Sequence, residues 1–546
     1  MSYVIAAGAR AAASLILLRD GARGLETLML RRAERDGDAR SGAAVFPGGV
    51  LDARDRDAHG CVTGADDAAV SARLGVADGG LDYVVAALRE CFEEVGLLLA
   101  DGPFDAAAAT PWRDRLQNGS ASAAEFCAAL GVRFDARGLV YWSHWLTPPG
   151  TPKRFDTRFF VAPAPEGQEA VADYGEAVEL MWLTPAEALS RERGLKLLPV
   201  TRRTLEELGR HADTAAVMAT ARAKTTIPLT MPRAATSAKG RTVVLPDQLP
   251  YAEIGKLDPE GRGDVSCELV PGFAVRLSPR VVRITAPNPG MMTGPGTNSY
   301  FVGGGDAWAL FDPGPADERH MQALLAAAPG RVTHVLCTHT HVDHSPGARA
   351  FAAATGAAVW GRRPVHAAGQ DPSFDPAREP VHGERLELGG GTTLRAIHTP
   401  GHASNHLCWL LEEEKLLFTG DHVMQGSTVV INPPDGDMAA YLQALEDLLD
   451  EDLDWFAPGH GFLVAEPHAV VRALVAHRLR RERKVELALE AAGEATLDAL
   501  VPMVYDDVPP ALHPVARRSL LAHLLKLEAD GVADSDGDTW RYAAES

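Results

Sequence analysis

The chain has 546 residues, 46% of them hydrophobic, which is enough for several cores and about three or four domains. Its net charge of −20 argues against general nucleic-acid binding, although a local RNA site stays possible. No apolar run of about 18 residues could span a bilayer, and six cysteines without a CxxC pair are typical of reduced cytoplasmic thiols. We therefore expect a cytoplasmic multidomain protein without membrane contact, acting on small molecules, whose oligomeric state the sequence leaves open.

The N-terminal part begins with two apolar stretches, residues 11–18 and 25–30, separated by Arg19-Asp20-Gly21. This pattern predicts a hairpin of two strands and not a signal peptide. Arg31, Arg32 and Arg35 follow the second stretch. They could contact a substrate phosphate, or they could form a solvated basic turn.

Residues 89–97 read Arg-Glu-Cys-Phe-Glu-Glu-Val-Gly-Leu. On a helix, Glu90, Glu93 and Glu94 would share one face, because positions three and four apart are neighbours. The apolar stripe consists of Leu88, Cys91, Phe92 and Val95. Carboxylates crowded in this way repel each other unless a cation neutralises them, so the pattern indicates a cation-binding helix. A solvated acidic face is the alternative interpretation.

This string resembles the Nudix box, and residues 46–52 resemble the loop that opens it. The resemblance implies that Glu93 and Glu94 bind Mg²⁺ or Mn²⁺, that Glu90 or Glu93 acts as a catalytic base, and that Arg89 pairs with a carboxylate to hold the helix. The opening glycine, Gly48, lies unusually far from Arg89, and the glutamate expected six positions after that glycine is absent.

Residues 145–148, 154–160 and 182–185 resemble a Nudix subgroup with a long insertion at this place, which includes coenzyme A diphosphatases. We therefore expect a Nudix hydrolase domain over residues 1–230, with an insertion at about 53–80. The resemblance implies cleavage of a diphosphate bond in a CoA-like or nucleotide-like substrate. Residues 231–278 are rich in proline, glycine and charge, so they predict a linker.

Residues 338–344, which follow the apolar run 332–337, carry four side chains able to bind metal: His339, His341, Asp343 and His344. Three further candidates, His402, Asp421 and His460, each end a short apolar run and lie beside glycine. Ligands at strand ends can meet at one edge of a sheet. Imidazole and carboxylate donors without a thiolate suit two Zn²⁺ ions, with Mn²⁺ or Fe²⁺ as alternatives.

Residues 279–465 resemble the metallo-β-lactamase superfamily through this HxHxDH motif and the three later ligands. The resemblance implies that His339, His341 and His402 hold one metal, that Asp343, His344 and His460 hold the second, and that Asp421 bridges them. Two cations lower the pKa of a shared water from about 15.7 to roughly 7, so hydroxide is available at neutral pH. The resemblance also implies that Asp343 orients this hydroxide. Of two neighbouring histidines, His398 is expected to be structural, and His406 could contact substrate.

Residues 296–300, 420–423 and 434–438 resemble the beta-lactamase-like protein 2 branch, which includes endoribonucleases, while the related glyoxalase II enzymes hydrolyse thioesters. That branch carries a winged helix, and residues 466–546 fit one, with helices at 468–492 and 514–530 and a hairpin at 532–542. Basic residues at 477–484 spread around the first helix, and the hairpin is acidic at 534–538. We therefore favour packing or dimerisation over nucleic-acid binding for this tail.

The sequence thus predicts an α/β multidomain protein made of a Nudix α/β/α sandwich, a metallo-β-lactamase αββα sandwich and a small winged helix. The expected function is a two-site metal-dependent hydrolase of a CoA thioester or nucleoside diphosphate derivative. Its second site would cleave a thioester, an ester or a phosphodiester. The alternative is a metal-dependent endoribonuclease with a regulatory nucleotide-binding Nudix domain.

Overall fold

The computed structural model describes residues 3–33, 41–102, 104–172 and 177–543. The chain forms two compact units, here called unit 1 and unit 2. Unit 1 comprises Met1–Ala235, Arg241–Pro246 and Pro259–Asp264, and unit 2 comprises Thr236–Gly240, Asp247–Asp258 and Val265–Ser546. Among the described residues, no helix combines the length and the apolar character needed to cross a membrane.

Unit 1 is built on a mixed sheet in the order β11-β3-β2-β1-β9-β8-β12, with β4 paired to β1 and β10 paired to β2. The strands are β1 Ala9–Gly21, β2 Gly24–Arg32, β3 Ala43–Val45, β4 Gly48–Val50, β5 Val62–Thr63, β6 Ala100–Asp101, β7 Arg133–Asp135, β8 Val140–Leu146, β9 Arg154–Pro163, β10 Ala177–Leu183, β11 Lys196–Leu197 and β12 Leu229–Thr230. The antiparallel pairing of β1 with β2, with Leu18 opposite Thr27, confirms the predicted hairpin.

The helices of unit 1 are α1 Asp67–Leu74, α2 Gly80–Val95, α3 Ala106–Gln117, α4 Ala123–Leu130, α5 Pro185–Leu189, α6 Pro199–Leu208 and α7 Thr214–Ala223, with a 3₁₀ helix at Ala53–Cys61. Helix α2 confirms the predicted helix with its buried apolar stripe. It ends at Gly96, whose left-handed backbone suits glycine and whose N–H donates to the carbonyl of Phe92. Burial of Phe92 alone stabilises this packing by about 1.5–3 kcal/mol.

The predicted linker region holds β13 Arg233–Ser237, β14 Gly240–Val244 and α8 Tyr251–Leu257. Two six-stranded sheets follow in unit 2. The first contains β15 Ala274–Ser278, β16 Val281–Thr285, β17 Asn298–Gly304, β18 Ala307–Phe311, β19 Val332–Leu336 and β20 Ala358–Trp360. The second contains β21 Arg385–Leu388, β22 Thr392–His398, β23 Leu407–Leu411, β24 Leu416–Gly420, β25 Trp455–Pro458 and β26 Val464–Ala465.

The two sheets of unit 2 pack face to face. Alternate residues of each strand point into the shared core, and the rings of Phe311 and Phe418 stack across it with centroids 4.6 Å apart. Helices α9 Glu318–Ala327 and α10 Gly347–Thr355 cover the outer face of the first sheet, and α11 Met438–Asp447 covers that of the second. This helix–sheet–sheet–helix order confirms the predicted αββα sandwich.

The C-terminal part consists of α12 Pro467–Ala492, β27 Glu494–Thr496, α13 Leu497–Val504, α14 His513–Ala529, β28 Ala533–Asp536 and β29 Thr539–Tyr542. The two predicted helices and the hairpin are confirmed, whereas α13 and β27 were not foreseen. Short 3₁₀ helices lie at Glu412–Glu414, Leu448–Asp450 and Pro510–Leu512. In the basic segment of α12, Arg478 and Arg481 are buried, and Arg481 pairs with Asp507 at 2.7 Å.

Candidate functional sites

The candidate metal ligands of unit 2 lie on loops that follow four strands. Residues 338–344 follow β19, His402 follows β22, Asp421 follows β24 and His460 follows β25. Strands β22 and β24 run in the same direction because each is antiparallel to β23, and β25 is parallel to β24. The ends of these three strands therefore lie at one edge of the second sheet, and the ligands that follow them converge there.

His339, His341 and His402 form a first metal group, with one ring nitrogen of each lying within 4.8 Å of the others. Nδ1 of His341 is 3.0 Å from Nε2 of His339 and 3.0 Å from Nε2 of His402. Burial lowers the pKa of His339 well below its usual value and that of His341 to about 4. Burial also lowers the pKa of His402. The three rings are therefore neutral at pH 7, which is the form that binds a metal ion.

Asp343, His344, Asp421 and His460 form a second metal group, again within 4.8 Å. Nε2 of His344 and Nε2 of His460 lie 3.4 and 3.3 Å from Oδ1 of Asp421. These three atoms are buried and have no hydrogen-bond partner among the described residues. Because buried polar atoms almost always have a partner, their common focus fits a cation.

The charge of the second metal group points the same way. Burial opposes protonation of its histidines, but the carboxylates outweigh that effect. They raise the pKa of His344 well above its usual value and that of His460 to about 9. The carboxylates concerned include Asp343 and Asp421. The carboxylates therefore favour positive charge at this point, which a bound cation would supply in place of the protons.

Asp421 lies between the two groups. Its Oδ1 faces the second metal group, and its Oδ2 lies 3.8 Å from Nε2 of His402 in the first. Its neighbour Gly420 has φ of +45°, and a Cβ on Gly459 would lie 2.7 Å from Oδ1 of Asp421, so both positions need glycine. Asp421, with one oxygen facing each metal group, therefore has the position that a bridging ligand requires.

Hydrogen bonds to the remote ring nitrogens orient three of the histidines. Nδ1 of His402 donates to the carbonyl of Val430 at 2.8 Å, and Nδ1 of His460 donates to that of Gly296 at 3.2 Å. Because a carbonyl only accepts, the proton of each neutral ring lies on Nδ1, and Nε2 of that neutral ring presents a lone pair to the site. Nδ1 of His344 bonds to Asp312 at 2.9 Å. Such contacts fix the tautomer and ring orientation of a metal ligand.

Asp312 was missed in the sequence analysis. It accepts hydrogen bonds from the backbone N–H and the hydroxyl of Thr338, both at 2.8 Å, and so also anchors the start of the ligand loop. Its local pattern, an acid that ends the apolar run Leu310-Phe311 and precedes Pro313-Gly314, is the pattern that singled out Asp421. The same signal could therefore have identified it.

The two neighbouring histidines differ in their contacts. Nε2 of His406 accepts the backbone N–H of Asp421 at 3.2 Å, and its Nδ1 lies 2.9 Å from the hydroxyl of Thr399. His406 thus supports the backbone of the shared ligand. His398 is half-buried and contacts the carbonyl of Ser404 at 3.2 Å, which is a structural contact.

In unit 1, Arg89 is the centre of a buried carboxylate cluster on α2. It donates from Nε to Oδ1 of Asp55 at 2.8 Å and from Nη2 to Oδ2 at 3.2 Å, and its Nη1 contacts Glu90 at 2.9 Å and Glu93 at 3.0 Å. The glutamate expected six positions after Gly48, at position 54, is absent from the sequence. In the fold, the 3₁₀ helix places the next residue, Asp55, against Arg89.

The loop that opens the box lies against the glutamates. The N–H of Gly48 donates to Glu94 at 2.9 Å, and a Cβ on Gly49 would lie 2.3 Å from the carboxyl carbon of Glu90. Burial raises the pKa of Glu93 to about 7, against the opposing effect of Arg89. The glutamates face one cleft, but their oxygens do not form a close ligand group of the kind found twice in unit 2.

This cleft of unit 1 has a volume of about 580 Å³. Its lining combines the three glutamates with basic residues and with aromatic rings that include Phe155. The basic residues are Arg10, Arg32, Arg54, Arg89 and Lys153. Arg31, in contrast, pairs with Glu179 at 3.0 Å, and Arg35 lies outside the described residues. A cleft with both carboxylates and cationic groups suits a phosphate-bearing ligand accompanied by a metal ion.

Comparison with known proteins shows matches to three families, each in a different part of the chain. Residues 292–460 match the model of the metallo-beta-lactamase superfamily, residues 65–199 that of the NUDT19 Nudix domain, and residues 496–540 that of the beta-lactamase associated winged helix domain. The chain is 33% identical over 252 residues to an atrochrysone carboxyl ACP thioesterase of Aspergillus fumigatus, a match covering 43% of this chain and 76% of that protein. The chain belongs to the metallo-beta-lactamase superfamily.

Two further similarities each concern a part of the chain. A beta-lactamase-like protein 2 homolog of Drosophila melanogaster is 30% identical over 275 residues, covering 48% of this chain and 92% of that protein. A solved NUDIX hydrolase from Alicyclobacillus acidocaldarius is 28% identical, with a TM-score of 0.33, covering 39% of this chain and 96% of that one. The predicted order of Nudix, metallo-β-lactamase and winged-helix domains is confirmed. The protein is thus a hydrolase that joins two metal-dependent families.

Proposed function

We propose that the seven-residue cluster of unit 2 is a dinuclear hydrolytic centre. The first metal group would hold one cation, and the second metal group would hold the other, with Asp421 shared. The single observation that carries the proposal is the convergence of seven ligand side chains on two foci that Asp421 joins. Their nitrogen and oxygen donors suit Zn²⁺, with Mn²⁺ or Fe²⁺ as alternatives.

Two bound cations supply acidification of water, to a pKa of about 7, and polarisation of the scissile carbonyl oxygen. The protein groups have separate tasks. Asp343, whose side chain is 23% exposed while that of His344 is fully buried, would hold and orient the attacking water. Asp312 and the backbone carbonyls behind His402 and His460 keep the imidazoles in one tautomer.

For the substrate, we favour a thioester or ester with an apolar acyl group. Apolar side chains are exposed on loops that carry or contact the ligands: Val342 lies between two ligands and is 61% exposed, and Val365 is 76% exposed and donates its N–H to Ser404 at 2.9 Å. Met291, 73% exposed, lies on the loop that reaches Gly296. The relative from Aspergillus fumigatus is named as an acyl carrier protein thioesterase, which supports the same bond type.

We further propose that the cleft of unit 1 cleaves a diphosphate bond. Glu93 and Glu94 would hold Mg²⁺ or Mn²⁺, and Glu90 or Glu93 would accept a proton from the attacking water. The basic groups Arg10 and Lys153 would contact the phosphates. Arg89, which is engaged by Asp55, would keep the helix in register and would not touch the substrate.

A CoA thioester contains both scissile bonds, so it is the shared substrate that we propose. The test supplies acyl-CoA to the purified protein with and without Mg²⁺ and Zn²⁺. Free thiol should be released by Glu94→Ala but not by His339→Ala, and phosphopantetheine products should show the reverse dependence. Glu93→Gln should also abolish diphosphate cleavage. If the wild-type protein releases neither product, the shared-substrate proposal is wrong. A separate result, nucleotide binding by unit 1 without turnover, would make unit 1 a regulatory domain.

We favour this function over the endoribonuclease alternative. An RNA-binding tail would need free basic side chains, but in the predicted basic segment Arg478 and Arg481 are buried and Lys484 contacts Asp506 at 2.6 Å. The hairpin presents exposed aspartates at 534, 536 and 538. Cutting of single-stranded RNA that is lost in His339→Ala but kept in Glu94→Ala would reverse this preference.

A further inference from the structure

Glu253, on helix α8, is a buried carboxylate that contacts the loop following a metal ligand. The residue is 2% exposed, and both of its oxygens are occupied. Oε2 accepts the backbone N–H of Leu463 at 2.8 Å and Nη1 of Arg283 at 2.6 Å, while Oε1 accepts Nη2 of Arg283 at 2.8 Å. Arg283 is equally buried. The ion pair therefore fixes the carboxylate that in turn fixes Leu463, three positions after His460.

A second side chain holds the preceding amide in the same way. Oε1 of Gln425 accepts the N–H of Phe462 at 2.8 Å, and Nε2 of Gln425 donates to the carbonyl of Leu249 at 2.9 Å. The backbone amides of Phe462 and Leu463 are thus both bound by side chains. Glu253 lies within residues 247–258, and Gln425 is hydrogen-bonded to Leu249 of the same segment. That segment belongs to unit 2 and lies before residues 292–460, which the superfamily model matches.

The other side of the His460 loop is held by β17. The side chain of Asn298 donates to the carbonyls of Pro458 and Gly461, and the N–H of Asn298 donates to the carbonyl of Gly459 at 2.7 Å. The loop is therefore clamped between β17 and residues 247–258. Among the described residues, the backbone group that the imidazole of His460 contacts is the carbonyl of Gly296, so the position of its Nε2 depends on how firmly this backbone is held.

We propose that Glu253 and Gln425 are positioning residues for His460, and that the cation position of the second metal group therefore depends on residues 247–258. The inference rests on the dinuclear centre proposed above. It means that a segment predicted as linker is a structural part of the metal site. Residues that support a ligand from behind typically contribute about 10–100-fold to metal affinity.

The test compares Glu253→Gln with Glu260→Gln in the full-length protein. Glu260 lies on the same connecting region, and its side chain is 73% exposed. In Glu253→Gln an amide NH₂ replaces one oxygen and faces Arg283 or Leu463, where only an acceptor fits. We expect one of the two cations to dissociate about tenfold faster into a chelator, while the other cation and the control are unchanged. Hydrogen exchange at Phe462 and Leu463 should accelerate in the same variant.

Gln425→Ala keeps the test decisive if Glu253→Gln does not fold, because it leaves no buried charge unpaired. It should release the same cation faster, and diphosphate cleavage by unit 1 should keep its wild-type rate. If the wild-type protein binds no cations in mass spectrometry of the intact chain, the dinuclear centre itself is refuted. If the wild type binds two and both variants release them at the wild-type rate, the positioning inference is refuted while the dinuclear centre stands.

Discussion

Replacement of Asp55 by asparagine should destabilise unit 1 and leave unit 2 unchanged. Asp55 is 1% exposed, and its oxygens accept three N–H groups: Nε of Arg89 at 2.8 Å, Nη2 of Arg89 at 3.2 Å and the backbone N–H of Asp52 at 2.8 Å. Asparagine exchanges one acceptor oxygen for an NH₂ group. At least one of the three N–H groups would then face another donor inside the protein.

The size of the effect follows from what Arg89 retains. Removal of one partner from a buried ion pair costs about 3–5 kcal/mol. Arg89 keeps Glu90 and Glu93 at 2.9 and 3.0 Å, and asparagine keeps one acceptor oxygen. We therefore expect the stability of unit 1 to fall by about 2–3 kcal/mol, which is the lower end of that range or just below it. For a unit of roughly 250 residues this lowers Tm by about 4–12 °C. Diphosphate cleavage should fall as well, because α2 carries the glutamates.

Differential scanning calorimetry of the full-length protein measures this shift, and Asp52→Asn, at the N-cap of the same 3₁₀ helix, is the matched control. Asp52 is 40% exposed and pairs with the 42% exposed Arg54, so its replacement should cost only about 1 kcal/mol. Equal shifts in the two variants, or no shift in Asp55→Asn, would refute the conclusion that the buried pair with Arg89 holds the helix.

Three further predictions concern unit 2. Asp421→Asn should lower the metal content, measured by mass spectrometry, to less than one ion per chain because its oxygens face both metal groups, and two retained ions would contradict the bridging position. Asp435 accepts hydrogen bonds from Gln370 at 2.9 Å and from Ser404 at 2.6 Å, on loops that adjoin the first metal group, so Asp435→Asn should weaken cation binding there about tenfold, and unchanged release into a chelator would exclude this. Burial lowers the pKa of His320 from 6.5 to about 4, so the folded state resists protonation and stability falls by up to about 3 kcal/mol as the pH drops from 6.5 to 4. His320→Gln should flatten that dependence in urea unfolding, and parallel curves would show that His320 is not its cause.

The amphipathic pattern of α2 and the motif around His339 were predictable because the relevant signal is local. Helical spacing alone places Glu90 beside Glu93 and Glu94, and an apolar run that ends in a polar ligand marks a strand end at a sheet edge. The order of a Nudix, a metallo-β-lactamase and a winged-helix domain was also predictable. Residues 89–97 and 338–344 are compact motifs of the first two families, and the third domain accompanies the branch that residues near the second motif resemble.

The sequence by itself therefore identified the candidate metal ligands and the elements that carry them. Only the tertiary structure decided what holds those side chains in place: Asp55 against Arg89, Asp312 behind His344, and Glu253 on the loop of His460. The reason is physical. These contacts join residues that the chain separates by 32 positions or more, and no local spacing encodes them. They arise only when the strands and connecting segments of each unit have packed together.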